Sequence, residues 1–113
     1  MSVSIYYTAK RNIPLIQIEN LAIENIVQKY NSGYPFEEKA EDFCVYGQSE
    51  NDVVFSGATK LPYTDDYELT FEICGYWLDC LTEITQILNN CQWNVSLDDV
   101  NLIYDNGWKF PER

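Results

Sequence analysis

The chain has 113 residues, of which 46% are hydrophobic, and a formal net charge of −11 at pH 7. This length suits one compact domain with its own core, so we predict a single domain over residues 1–113. No apolar run approaches the roughly 20 residues of a membrane span. Residues 1–7 also lack the basic flank and apolar stretch of a secretory signal. We therefore expect a cytoplasmic protein with no membrane partner.

Missing residue types exclude several chemistries. There is no histidine, which excludes Ser-His-Asp and Cys-His catalysis and any imidazole acid–base role. Neither C-x-x-C nor a glycine-rich nucleotide motif occurs, so we expect no structural zinc and no bound cofactor. The four cysteines are predicted to be reduced core residues, because nothing indicates secretion: Cys44, Cys74, Cys80 and Cys91.

The negative charge is unevenly distributed along the chain. Residues 61–108 contain nine acids and no lysine or arginine, whereas residues 1–60 contain eight acids and five bases. Such a segment cannot neutralise its own carboxylates locally, and its field disfavours nucleic acid while attracting cations. We therefore predict a basic protein as partner and no nucleic acid. The alternative interpretation is that the acidity only keeps the protein dissolved.

The first elements follow clear periodicities. Val3, Ile5 and Tyr7 alternate with polar residues, which predicts a half-buried strand. Residues 14–31 are predicted to form a helix that ends at Gly33 in a left-handed conformation. The predicted buried stripe of this helix consists of Ile18, Leu21, Ala22, Ile23, Ile26 and Tyr30.

Further strands and one more helix follow. Residues 43–46 and 53–58 are predicted to be short strands, and residues 66–73 the clearest strand of all. In the latter, Tyr67, Leu69, Phe71 and Ile73 would lie on one face and Asp66, Glu68, Thr70 and Glu72 on the other. After Gly75, residues 77–91 are predicted to form a helix. Residues 93–97 are predicted to form another strand, and residues 100–104 can add one more. An Asn106-Gly107 turn is predicted to follow.

These elements give the order β-α-β-β-β-α-β. We predict an α+β fold with a mainly antiparallel sheet of four to six strands and two helices packed on one face. The outward positions of three strands are polar or acidic, and an antiparallel sheet can leave one face in water. The sequence therefore predicts that the uncovered face is broad, open and negative.

The predicted binding site lies on that face. Strand residues two apart lie on one side roughly 6.5–7 Å apart, so Asp66, Glu68 and Glu72 would form a row of like charges. Acids beside aromatic rings suit the capture of lysine or arginine through ion pairs and cation–π contacts. We expect Trp108 to be exposed, with Trp77 and Trp93 in the core. The predicted partner-binding residues are Tyr63, Asp65, Asp66, Glu68, Glu72, Asp98, Asp99, Asp105 and Trp108. The alternative interpretation is that the row of Asp66, Glu68 and Glu72 is a strand face that only contacts water.

Paired carboxylates are the remaining route to catalysis. The pairs Asp65-Asp66, Asp98-Asp99 and Glu68/Glu72 could hold Mg²⁺ or act as acid and base. Adjacent acids are common in surface loops, and no motif fixes their spacing. We therefore predict that the protein is not an enzyme, with a metal-dependent enzyme as the alternative.

In size, acidity and lack of catalytic residues, the whole chain resembles the immunity proteins of bacterial polymorphic and contact-dependent toxin systems. The resemblance implies an inhibitor that occludes the active site of a basic toxin, such as a nuclease. Locally, Tyr76-Trp77-Leu78-Asp79-Cys80-Leu81-Thr82 is similar to a helix of barstar, an acidic ribonuclease inhibitor. The order of the surrounding elements departs from that of barstar, so the role of its key acid is not carried over to Asp79. A nucleic-acid mimic that inhibits a DNA- or RNA-binding protein is a further alternative, and the oligomeric state stays open.

Overall fold

The computed structural model describes residues 3–35, 44–46, 52–61 and 66–110. In chain order the elements are β1 (Val3–Lys10), α1 (Gln17–Ser32), β2 (Cys44–Tyr46), β3 (Val53–Leu61), α2 (Tyr67–Ile87), β4 (Gln92–Leu97), β5 (Val100–Asn101), β6 (Ile103–Tyr104) and β7 (Trp108–Lys109). Five strands form an antiparallel sheet in the order β2-β3-β1-β4-β5, and β6 and β7 form a separate hairpin. The predicted α+β class, with its antiparallel sheet and two helices, is confirmed.

The central strand β1 determines which face of the sheet is buried. Its residues Ile5, Tyr7 and Ala9 are almost fully buried, as the predicted alternation requires. Inside the core, the Tyr7 hydroxyl and Thr59 Oγ1 lie 3.0 Å apart in a hydrogen bond that joins β1 to β3. Val95 of β4 continues the same face on the other side of β1. The inner face is therefore continuous across the three middle strands.

The strand predicted over residues 66–73 is wrong, because these residues form the N-cap and first two turns of α2. Asp66 is the N-cap, and its carboxylate accepts a hydrogen bond from the Leu69 N–H at 3.2 Å. A strand would have placed Phe71 and Ile73 on one face. Instead Ile73 is buried and Phe71 is 59% exposed. Ile73 begins the helical stripe that continues through Trp77, Leu81, Ile84 and Leu88.

Helix α1 packs against α2 and buries little of its own surface. Ile23 is its one fully buried residue, whereas the predicted stripe residues Ile18 and Leu21 face solvent, with Ile18 75% exposed. The prediction of a left-handed Gly33 is also wrong. Its φ is −95°, and its N–H donates to the Lys29 carbonyl oxygen and closes the last turn. Within the described segments, neither helix combines the length and apolar content that a bilayer crossing requires.

Arg11 joins the ends of several elements. Its side chain is 8% exposed and forms a bidentate ion pair with Glu19 of α1, at 2.5 Å for Nη2–Oε1 and 3.0 Å for Nη1–Oε2. Nη1 also donates to Asn90 Oδ1 in the turn after α2, at 3.0 Å. Glu19 Oε1 in turn accepts from the Ile16 N–H at the start of α1. One half-buried cation therefore connects the end of β1, the start of α1 and the turn between α2 and β4.

The remaining donors of Arg11 hold the loop between β1 and α1. Nε donates to the Ile13 carbonyl oxygen at 2.6 Å, and Nη2 donates to that of Pro14 at 3.1 Å. These carbonyl oxygens belong to exposed residues with no regular secondary structure, and the guanidinium gives them donors that no helix or strand supplies. The loop thus has a defined path despite its lack of helix or strand.

The described cysteines agree with the predicted reduced state. Cys74, Cys80 and Cys91 are free thiols; the first two are buried and Cys91 is half-buried. Burial raises the pKa of the Cys74 thiol to about 11 and that of Cys80 to about 12. The side chain of Cys44 lies outside the described part of the chain.

Gly75 lies inside α2, where the sequence analysis placed a break. A Cβ at this position would meet no described atom within 4 Å. Because glycine costs about 0.5–1 kcal/mol relative to alanine inside a helix, we expect Gly75→Ala to raise the free energy of unfolding by about that amount. Urea unfolding at pH 7 measures it. Gly107→Ala is the contrasting variant, since φ is +141° at Gly107 and alanine is strained there. A destabilised Gly75→Ala variant would contradict the helical assignment.

The Arg11–Glu19 ion pair predicts a specific pH dependence. Hydrogen bonds from Arg11, and then from the Ile16 N–H, hold the pKa of Glu19 below its ordinary value. The pair therefore contributes fully at neutral pH, and its contribution is lost as pH falls from the ordinary carboxyl pKa of about 4.3 toward the lower folded value. We expect Glu19→Gln to destabilise the protein at pH 7 and the gap from wild type to narrow below pH ~4. Unfolding curves at several pH values measure the gap, and a gap that stays constant to pH ~3 would refute the assignment.

Candidate binding surface

Four acids form a ridge along α2. Glu68, Glu72, Asp79 and Glu83 follow one another at intervals of four, seven and four residues, which places them on one side of a helix. We call this set the acidic ridge. Glu68, Glu72 and Asp79 are exposed, whereas Glu83 is half-buried where α2 meets α1. The side chains that were predicted as a strand row therefore belong to a longer, convex helical surface.

Only one member of the acidic ridge is neutralised by a described cation. Lys29 of α1 donates to Glu83 Oε1 at 2.8 Å and Oε2 at 3.1 Å, and the Tyr30 hydroxyl also donates to Glu83. Burial raises the pKa of Glu83, but these hydrogen bonds outweigh it and leave the pKa below its ordinary value. Among the residues described, Glu68, Glu72 and Asp79 have no ion pair. The ridge is therefore negative over most of its length.

Asp79 and Glu83 are the two ridge residues that the sequence analysis did not include in the site. Partial burial, and then the charge of Glu83 one turn away, raise the pKa of the Asp79 carboxyl. The sequence contains a signal that places Asp79 on the ridge. Once residues 67–87 are read as one helix, Asp79 lies two turns beyond Glu72 on the same side. The strand prediction for residues 66–73 concealed that relation.

Asp98 and Asp99 form the turn between β4 and β5. Asp98 has φ +50°, its Oδ1 accepts from the Ser4 N–H at 3.1 Å, and its own N–H donates to the Ser4 carbonyl oxygen at 3.0 Å. This carboxylate therefore fixes the turn to the start of β1. Asp99 is exposed beside it.

The last predicted residues lie on or near the β6–β7 hairpin. The predicted Asn106-Gly107 turn is confirmed, with positive φ at both residues. Asp105 is exposed and forms an ion pair with Lys109 at 3.1 Å. Trp108 is 9% exposed, so its predicted exposure is wrong. Its indole Nε1 donates to Thr85 Oγ1 of α2 at 2.8 Å, a buried partner that only the tertiary structure supplies. Tyr63 and Asp65 lie outside the described residues.

The open face of the sheet carries no acid on the described parts of β1, β3 and β4. The register places Tyr6, Thr8 and Lys10 of β1 on this face, with Lys60 of β3 opposite Ser4. Its other described side chains are neutral, namely Ser4, Ser56, Ala58, Asn94 and Ser96. Lys10 and Lys60 are exposed and have no ion pair among the described residues. The prediction of an acidic open face is wrong because its acids belong to α2.

The described residues offer limited metal chemistry. Nowhere within residues 3–35, 44–46, 52–61 and 66–110 do three cysteine, aspartate or glutamate side chains come together as metal ligands. Glu68 and Glu72 contribute two carboxylates on adjacent turns of α2.

The chain has no detected relatives among known proteins. No protein-family model, curated protein or solved structure matches it.

Proposed function

We propose that this protein is an inhibitor that binds a basic protein, and specifically an immunity protein that occludes the active site of a cognate cationic toxin, such as a nuclease. The observation that carries the proposal is the acidic ridge, where Glu68, Glu72 and Asp79 are exposed without a described counter-ion. The net charge of −11 extends the same field around the molecule.

The energetics of exposed carboxylates favour capture of a cationic partner. In water, an exposed ion pair contributes only about 0–1 kcal/mol, so the isolated ridge costs the fold little. A partner that supplies lysine or arginine and excludes water converts the same carboxylates into charge-assisted hydrogen bonds, which are roughly twice as strong as neutral ones. Long-range attraction also accelerates the encounter. The ridge therefore gains most of its interaction energy in a complex.

The shape of the ridge supports occlusion of an active site. Glu68 and Asp79 are eleven residues apart on one helix, a separation of about 16 Å at 1.5 Å per residue. A helix face protrudes from the domain, and catalytic sites lie in clefts. A cationic cleft, such as one that binds nucleic acid, offers both the concave form and the charge that this surface complements.

A matched pair of double variants tests the proposal with the protein encoded directly upstream of this gene as the probe. The double variant Glu72→Gln with Asp79→Asn removes two negative charges from the ridge. The control, Glu24→Gln with Asp52→Asn, removes two negative charges from exposed positions elsewhere. At low salt we expect the ridge variant to associate about tenfold or more slowly, because electrostatic steering accelerates association by ~10–10³-fold. The control variant should stay close to wild type. Stopped-flow or biosensor kinetics at two salt concentrations measure the association rates.

Two results would count against the proposal. Equal slowing of both double variants would assign the effect to net charge and remove the ridge from the interface. A failure of the upstream protein to bind wild type, together with no protection of cells that express it, would remove the immunity function itself. Unfolding midpoints of both variants establish that each is folded.

A further inference from the structure

An aromatic groove lies at the end of the acidic ridge. It has a volume of about 630 Å³ and lies between the second half of α2 and the β6–β7 hairpin. Trp93 and Trp108 contribute indole rings to it, and Tyr104 forms one side. Gln86 of α2 and Asn89 of the turn after it form the other side. We call this feature the aromatic groove.

None of the described residues that line the aromatic groove is charged, although the chain as a whole has a net charge of −11. Both indole N–H groups are already engaged within the protein. Trp93 Nε1 donates to the Leu88 carbonyl oxygen at 3.0 Å, and Trp108 Nε1 donates to Thr85 Oγ1 at 2.8 Å. The rings therefore present apolar surface rather than donors. A charged group in the groove would lose water without gaining a counter-ion, so the groove favours an uncharged, apolar occupant.

The aromatic groove is continuous with the acidic ridge. Gln86 follows Glu83 by three residues, which places it on the next turn of the same side of α2. On the other side of the groove, Asp105 directly follows Tyr104 on the hairpin. Apolar surface is thus flanked by an ion pair on each side, Lys29–Glu83 and Lys109–Asp105. Protein interfaces commonly have this arrangement, with an apolar centre, aromatic anchor residues and a polar rim.

We propose that the aromatic groove is the anchor pocket in which the basic partner inserts an uncharged aromatic or aliphatic side chain. The inference rests on the proposed function, and it adds that the partner presents an apolar residue beside its cations. The groove is open along one side, because Ile103, Tyr104, Gln86 and Asn89 at its edge are all exposed. A free small molecule would stay partly in water there. A side chain delivered by a protein docked on the ridge is held by the ridge contacts as well.

Dissociation kinetics of the complex with the upstream protein test the anchor. Tyr104 is 42% exposed, and Tyr6 on the open sheet face is 49% exposed, so Tyr104→Ser and Tyr6→Ser form a matched pair. We expect Tyr104→Ser to raise the dissociation rate about tenfold while the association rate stays unchanged, because anchor residues act on dissociation and charges on association. Tyr6→Ser should leave both rates unchanged. Since Tyr104 also contacts Trp108, Ile103→Ser serves as a second groove variant.

A probe that needs no partner separates failure of this inference from failure of the proposed function. N-acetyl-tryptophanamide, which is neutral, should shift the indole N–H resonances of Trp93 and Trp108 at millimolar concentration and leave that of Trp77 unchanged. N-acetyl-lysinamide, which is cationic, should shift neither. Absence of shifts with the neutral ring, or wild-type dissociation of both Tyr104→Ser and Ile103→Ser, would overturn the anchor pocket while the ridge proposal stands. If the upstream protein does not bind, selective shifts with the neutral ring still support the pocket.

Discussion

The guanidinium of Arg11 is the contact on which the junction of β1, α1 and the turn after α2 depends. Its hydrogen bonds to Glu19, Asn90 and the carbonyl oxygens of the following loop join the end of β1 to the start of α1 and to the turn between α2 and β4. A buried cation needs such complete pairing, because an unpaired charge in the interior is costly. On α2, Glu83 forms an ion pair with Lys29 of α1. Glu68, Glu72 and Asp79 form no ion pair with a described cation.

Helix packing explains why the acidic ridge stays exposed. One side of α2 faces the sheet through Trp77, Leu81 and Ile84, and the adjacent side contacts α1 at Tyr30. The β6–β7 hairpin contacts a third side of α2, where Trp108 donates hydrogen bonds to Thr82 and Thr85. The remaining side carries the acids and reaches solvent. A helix so largely enclosed is held in place by its neighbours, so the carboxylates project from a rigid element and need little ordering on binding.

Much of the fold could be predicted from local periodicity, and the errors have identifiable causes. The alternation in β1 and the helical spacing from Trp77 to Leu88 each allowed one interpretation. In residues 66–73, by contrast, Leu69 and Ile73 satisfy both a period of two and a spacing of four, so the acids of that segment were assigned to a sheet. The charge and the exposure of Glu68 and Glu72 could be predicted from the sequence. Their position beside Asp79 and Glu83 on one helix was missed. The burial of Trp108 depends on Thr85, which is distant in sequence and invisible to local patterns.

Two exposed lysines and the exposed carboxylates of α2 lie on different layers of the domain. Lys10 and Lys60 are on the uncovered side of the sheet, whereas the carboxylates of α2 are on the helical layer. This separation of described charges contributes a component of electric dipole moment across the domain, in addition to the net charge. In the field of a positive body the dipole experiences a torque that turns the helical layer forward. Approach is therefore oriented before contact, and fewer collisions present the wrong side.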